Sequence, residues 1–528
     1  MTNLNRFNGF NEQFPWVSDQ GDGTFANPIL HADYSDPDVI RVGSDFYMTA
    51  SSFGHIPGLP ILHSKDLVNW RIINHAIPRM PLGGYDRPQH GNGVWAPSLR
   101  FHEGKFWIFY GDPDVGIFMT TADDPAGTWS DIHLVHEGKG LIDACPFWDD
   151  NGDAYLVHAY AQSRSGIKHR LRVRRMSSDG KRLLDEGVII IDDPERHPTI
   201  EGPKMYKKND YYYVFAPAGG VEEGWQTVLR ASHPLGPYED RIVLQQGDTP
   251  INGPHQGAWV ELESGESWFI HFQHKDAYGR IVHLQPMTWT ADHWPAMGVD
   301  SNGDGIGEPV LGFRKPDVGG EYPICVPAAS DDFDGEQLGL QWQWQANPQA
   351  GWHSLTERAG WLRLSAQAWP DGAASLFQAP HLLLQKFPAL SFETTVCVDG
   401  AGLNAGDQAG LIVFGYSYAA LTYMADTEDG PLLQVLEGDQ EGHAVNWQRR
   451  IVVEEGQEVA LRVVVQPGAV CVFQFSLDGH QYEEVALPAF EATVSKWVGA
   501  KVGLFAQAGS TPGGFADFDR FTVTRVSG

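Results

Sequence analysis

The sequence predicts an all-β protein: a five-bladed β-propeller over residues 1–325, followed by a jelly-roll, concanavalin-like β-sandwich over residues 326–528. Three observations carry this expectation. A hairpin of aromatic and β-branched residues around a turn recurs five times in the first part. A second short phrase follows each hairpin, giving units of about 50 residues. The repeat then stops near Val326, and about 200 residues of alternating strands without a repeat follow, as in a two-sheet sandwich.

The hairpins occupy residues 39–50, 99–110, 146–157, 204–214 and 258–270, each with Gly or Asn-Asp at its turn. The second phrase occupies 63–70, 121–129, 176–180, 231–238 and 289–294, and is read as the turn before each outer strand. A sandwich would explain hairpins but not this two-phrase period. Residues 322–330 hold two prolines and are read as the linker. Beyond it, 361–365, 459–465 and 514–523 alternate apolar and polar residues as strands do.

Composition agrees. The 59 Gly and 34 Pro make up roughly 18% of the chain against a usual value of about 12%, which favours many turns over a helical bundle. With 67 acidic and 37 basic residues the net charge is -30, so nucleic acid and anionic membranes are excluded as expected partners. No apolar run reaches the length of a membrane span. The stretch 1–20 shows no basic region followed by an apolar one, so the expected location is cytoplasmic. Four widely spaced cysteines are read as free thiols, with Cys397–Cys471 the one pairing worth checking.

Chemistry enters with what precedes each hairpin. Asp36, Trp95, Asp143, Glu201 and His255 stand about seven to ten residues before the five turns, where the innermost strand of a propeller blade starts. Five innermost strands surround one axis, so these side chains should converge at one mouth of the central channel. A single Asp-Pro or Glu-Gly before a strand is ordinarily a turn or cap; three acids in register with a repeat are not. Clustered carboxylates hold a proton, and a protonated acid beside an ionised carboxylate is what glycosidic cleavage needs. Trp95 and Phe53 offer faces for a sugar ring. Arg280 opens the strand after the fifth hairpin and is read as a cation near the carboxylates, against a blade-linking ion pair.

These residues carry a resemblance. Residues 27–30 and 34–43, Ser51-Ser52-Phe53, 57–70, Trp95-Ala96-Pro97, Ile142-Asp143, Glu201-Gly202-Pro203-Lys204 and His255-Gln256-Gly257 together resemble glycoside hydrolase family 43, in its β-xylosidase and α-L-arabinofuranosidase branch. Residues 332–342 resemble the start of the sandwich domain that accompanies those xylosidases. The resemblance implies an inverting exo-hydrolase that releases terminal β-1,4-xylosyl units, and α-L-arabinofuranosyl groups as well, from xylo-oligosaccharides or arabinose-substituted oligosaccharides. It implies Asp36 as general base, Glu201 as general acid, and Asp143 as the carboxylate that orients the acid and raises its pKa. Arg280 then lies near the substrate, Phe53, Trp95 and Trp225 wall the sugar pocket, and His255 faces a calcium ion or water on the axis. Inversion implies an Asp36–Glu201 separation of roughly 6.5–9.5 Å. It further implies a sandwich loop that closes the pocket; the stretch 505–515 is the candidate, with Phe505 or Phe515 as the closing aromatic. One departure is Ala144-Cys145-Pro146 after Asp143, where many relatives carry Pro and a small polar residue.

No cofactor is expected for the chemistry. Besides His255, a structural Ca²⁺ at Asp331, Asp332 and Asp517 is weighed against solvated acidic turns. Residues 301–305 are read as a turn, since no Glu completes a calcium loop. A homo-oligomer is compatible with the sequence. The alternative function is a sugar-binding propeller without catalysis.

Overall fold

The computed structural model describes residues 14–526, apart from 374, 426–429, 455, 486–488 and 511–512. Most of the N-terminal stretch read for a leader therefore lies outside the described residues. Five four-stranded antiparallel sheets make the propeller. Blade 1 is Asp38–Val42, Asp45–Thr49, Gly58–Ser64 and Trp70–Ile77. Blade 2 is Trp95–His102, Lys105–Asp112, Gly116–Ala122 and His133–Glu137. Blade 3 is Leu141–Trp148, Ala154–Tyr160, Arg170–Met176 and Val188–Asp192. Blade 4 is Lys204–Lys208, Tyr211–Ala218, Trp225–Ala231 and Glu239–Leu244. Blade 5 is His255–Glu261, Ser267–His274, Arg280–Trp289 and Pro295–Met297. The recurring hairpin is the first strand pair of each blade, and the second phrase joins strands three and four.

The aromatic and β-branched residues that write the repeat also glue the blades. Apolar clusters fill each gap between neighbours: Ile61 against Ile108, Phe109 against Leu156, Val157 against Val214, Phe215 against Phe269 and Met48 against Ile270. Each such fully buried side chain contributes about 1.5–3 kcal/mol before entropy is counted. Ring closure does not mix strands from both chain ends in one blade. Instead Asn27 brackets Leu284 with two side-chain bonds, to its N–H and its carbonyl, and Leu30 exchanges two backbone bonds with Val282.

The sandwich has a seven-stranded sheet that includes Leu383–Lys386, Lys501–Gln507 and Gln408–Phe414. Its second sheet includes Phe515–Thr524, Phe392–Asp399 and Val459–Gln466. Their facing residues, among them Leu411, Leu504, Val396, Leu461 and Phe518, form one core. The sandwich docks on the propeller by specific bonds. Ile56 and Trp344 exchange two backbone hydrogen bonds, and the buried Asn347 side chain satisfies Met80 on both its N–H and its carbonyl. The Tyr278 hydroxyl donates to Leu390 and accepts from Ala469.

Several smaller expectations resolve here. All four cysteines are free; Cys397 and Cys471 stand on strands of one sheet, Cys471 buried in the core and Cys397 only half-buried. Asp517 is gripped by Arg363 at 2.7 and 2.9 Å and by Arg358 at 3.2 Å, so guanidinium groups take the place offered to Ca²⁺. Asp331 accepts from the Trp342 indole and the Phe333 N–H, and serves as a turn residue. Residues 301–305 form a turn held by Asp300, which accepts from Gly303 and Gly305.

Candidate active site

Within two residues of the start of every innermost strand stands a residue in the left-handed backbone region. These are Asp36 (φ 55°), Ala96 (35°), Asp143 (59°), Gly202 (60°) and Gln256 (34°). In blades 2, 3 and 5 the same spot is a bulge, between Trp95 and Ser98, Ile142 and Cys145, and His255 and Gly257. A bulge leaves an extra residue unpaired and re-aims its side chain. Four non-glycine residues in this region cost on the order of 1–3 kcal/mol each, a cost that clusters at functional sites. The repeat thus contains two adjacent positions. Asp36 and Asp143 are themselves left-handed, whereas Trp95, Glu201 and His255 each precede the left-handed residue. The five residues expected at one register therefore divide between two neighbouring ones at the same channel mouth.

Asp36 is buried, and its Oδ2 accepts from Ser35 Oγ at 2.8 Å and Ser51 Oγ at 2.6 Å. Arg280 Nη1 approaches Asp36 at 3.1 and 3.2 Å and also donates to Ser35 Oγ at 2.6 Å. The Arg280 guanidinium rests over the Phe272 ring at 4.8 Å. Ser51 Oγ in turn accepts from the Ala96 N–H at 2.7 Å, tying blade 1 to the bulge of blade 2. These donors match a carboxylate charge and fix its orientation.

Asp143 Oδ2 accepts from the Gly202 N–H at 2.7 Å, which ties it to the residue after Glu201. Burial, then the Glu201 charge, then that of Asp36, push Asp143 well above the carboxylate range; the Gly202 bond and Lys204 oppose them. Asp143 therefore keeps its proton to higher pH than an ordinary carboxyl does. Asp143 is 4% exposed, whereas the Glu201 side chain retains 27% and faces the opening. The upward shift falls on Asp143 because it is the deeper of the two.

His255 Nε2 stands 3.3 Å from Glu201 Oε1, out of line for a hydrogen bond, and both ring nitrogens are buried without hydrogen-bond partners. Among the described residues no group of three His, Cys, Asp or Glu could hold a metal ion. His255 offers one nitrogen, whereas Ca²⁺ takes six to eight oxygens. Among the described residues, those around His255 do not build a cage for the ion expected there.

Below the mouth, Asp38 accepts from the Leu99 N–H and Arg100 Nη1, each at 2.7 Å, and lies 3.7 Å from Lys204 Nζ. Fully buried Lys204 donates to the Pro97 carbonyl and Ser98 Oγ, each at 2.7 Å. Arg100 Nη2 reaches Cys145 Sγ at 2.9 Å. The Cys145 that departs from the family pattern is therefore an acceptor in a network joining four blades.

The aromatic wall differs in part from expectation. Phe53 meets Trp95 edge-on at 6.2 Å, and Trp225 is half-buried on the cluster shared by blades 3 and 4. The sandwich residue that reaches this wall is Trp497, edge-on to Trp95 at 5.8 Å. Neither expected closing aromatic takes that part. Phe505 is fully buried beside Phe414 and Leu384, and Phe515 lies under the Arg363 guanidinium at 3.6 Å. Part of the candidate loop, residues 511–512, lies outside the described residues. Sequence reasoning also missed Ser51, Arg164 and Asp33. Arg164 lies 5.8 Å over Trp95 and bonds Asn92 and Asp114. Asp33 Oδ1 accepts from Arg280 N at 2.9 Å while Oδ2 accepts from Gly499 N at 3.0 Å, pinning the loop that bears Trp497 beside Arg280.

A propeller mouth with three carboxylates, an arginine and an aromatic wall defines a glycoside hydrolase. The chain belongs to glycosyl hydrolases family 43, whose model matches residues 25–295. Residues 330–524 match the β-xylosidase C-terminal concanavalin A-like domain. A protein from Xylanibacter ruminicola, whose name assigns it provisionally to the β-xylosidases, is 41% identical over 92% of this chain and 86% of its own length. A non-reducing end α-L-arabinofuranosidase from Bacteroides ovatus is 32% identical over 74% of this chain and 73% of its own. The crystal structure of a xylan β-1,4-xylosidase from Bacillus halodurans superposes with a TM-score of 0.84 at 25% identity, covering 95% of this chain and all of that one.

Proposed function

We propose that the enzyme is an inverting exo-hydrolase that removes terminal β-1,4-xylosyl units from xylo-oligosaccharides, and that it also accepts α-L-arabinofuranosyl groups. The observation that carries this is the convergence of Asp36, Asp143 and Glu201 on one mouth, with Arg280 on Asp36, the Gly202 N–H on Asp143, and Asp143 pushed upward by burial and by the Glu201 charge. Asp36 is the general base. Its carboxylate, oriented by Ser35, Ser51 and Arg280, takes a proton from the water that attacks the anomeric carbon. Glu201 is the general acid and protonates the leaving oxygen, with Asp143 acting on it through a shared proton and the Gly202 bond. Trp95, Phe53 and Trp225 flank the sugar. Trp497 narrows the opening from the sandwich side, which favours short chain ends over internal bonds. The expected Asp36–Glu201 separation is that of inverting enzymes, roughly 6.5–9.5 Å. The names of the relatives divide between xylosidase and arabinofuranosidase, which supports both sugars as substrates. The test is turnover of p-nitrophenyl β-xyloside, p-nitrophenyl arabinofuranoside and xylobiose by the wild type and by Asp36→Ala and Glu201→Ala. Both variants should lose at least about 100-fold on xylobiose. Near wild-type turnover by either would refute its role.

A further inference from the structure

A cavity of about 650 Å³ lies between blade 1, the linker and the sandwich. Its walls are mainly apolar and include Ile29, Leu30, Pro60, Ile72 and Leu340. His31, His75 and Lys386 stand out among them. The two histidines are 5% and 7% exposed, and the Nδ1 of each has no hydrogen-bond partner. Lys386 Nζ lies 5.3 Å from the Tyr34 ring. Directly across the strand pair stands Lys501, which is 3% exposed, so two lysines face each other at a buried domain interface. The acid that offsets both, Asp33, already spends its oxygens on the N–H groups of Arg280 and Gly499. Burial, with Lys386 adding to it, pushes the Lys501 ammonium down to about 7.

A half-buried lysine facing a buried one, with a single nearby acid that is already hydrogen-bonded to two N–H groups, is a costly arrangement, and an anion on Lys386 lowers the cost. A bare oxyanion would leave the apolar wall wet, and a neutral apolar molecule would leave the lysines uncompensated. We propose that this cavity binds an amphipathic monocarboxylate, an aliphatic or aromatic acid. Its carboxylate sits on Lys386 and His75 Nδ1, and its body lies along Ile29, Leu30, Pro60 and Ile72. The volume is that of an ordinary small-molecule site. The site is separate from the catalytic mouth and does not depend on the function proposed above.

Titration calorimetry of the full chain with sodium octanoate tests this, with sodium acetate and 1-octanol as controls. Octanoate should bind one per chain, at least about tenfold tighter than either control, because the charge and the tail each contribute. Lys386→Met, which keeps the length of the side chain, should weaken octanoate at least about tenfold. His75→Phe, which keeps the ring but not Nδ1, should weaken it as well. Saturable octanoate binding that is absent at about 1 mM, equalled by octanol, or unchanged in Lys386→Met overturns the proposal. So does octanoate binding that competes with xylobiose, which would place the acid at the catalytic mouth.

Discussion

Replacing Asp143 with Asn should lower activity and raise stability together. The amide Oδ1 can still accept from the Gly202 N–H at 2.7 Å, so the change removes charge and little else. In the folded enzyme Asp143 is raised well above its ordinary value, by burial first and the Glu201 charge second. A carboxyl raised on folding makes the native state bind more protons than the unfolded state between the two values, so stability falls as pH climbs through that window. Each unit of the rise costs about 1.4 kcal/mol above the window. Asn carries no such cost, so Asp143→Asn should be more stable than wild type at pH 7, and the gain should vanish as pH falls into the ordinary carboxylate range. Activity moves the other way. The pair no longer shares its proton through Asp143, and kcat on xylobiose should drop about 10²–10³-fold. The basic limb of the kcat/KM profile should move to lower pH, because the charge that held the proton in place is gone. Xylobiose is the substrate of choice because p-nitrophenol leaves with little need of an acid. Urea denaturation at pH 4 and pH 7, with initial rates across pH, measures all of this. A variant less stable at pH 7, or within about threefold of wild type on xylobiose, would rule out this role for Asp143.

Other outcomes follow from the same geometry. Ser51→Ala removes a 2.6 Å bond to Asp36 and strands the Ala96 N–H, so kcat/KM should fall about 10–100-fold and stability by about 1–3 kcal/mol, read from rates and denaturation together. Trp497→Ala removes the edge contact to Trp95; an aromatic pair is worth about 0.5–1.5 kcal/mol, so KM for xylobiose should rise about 2–12-fold with kcat little changed. Asp33→Ala frees both Gly499 and Arg280, so it should raise KM as Trp497→Ala does and lower kcat as well, a split that steady-state kinetics on xylobiose resolves. Burial pushes the Cys397 and Cys471 thiols up to about 11 and about 12, so Ellman's reagent at pH 8 should react slowly with the native protein and with four thiols after denaturation; fewer than four would reveal a bridge.

The propeller was legible because its period is written in residues that must be buried between blades, and a hairpin such as 39–50 or 99–110 states its own turn. The three acids were legible because they keep step with that period. Their division between two registers was not: it depends on the left-handed backbone at Asp36, Ala96, Asp143, Gly202 and Gln256, and non-glycine residues at four of these carry no sequence mark of it. The closing aromatic was misplaced for a different reason. Lys501–Gln507 is buried on both faces, against the sandwich core and against the neighbouring apolar cluster, so alternation could not say where Phe505 points. Trp497 and Asp33 meet their partners across the domain interface, and no local pattern encodes such a contact. The acids near the sandwich ends looked ready for a cation because Arg358 and Arg363, which hold Asp517, are remote from it in sequence.

In the proposed mechanism Asp36, Glu201 and Asp143 work as base, acid and acid-supporting carboxylate in a single inverting displacement. Time-resolved proton NMR of xylobiose hydrolysis tests it most directly. α-Xylose should appear first from the non-reducing unit, before mutarotation, and Glu201→Ala should yield no product on the same timescale. Initial release of β-xylose, or product from Glu201→Ala at the wild-type rate, would contradict it.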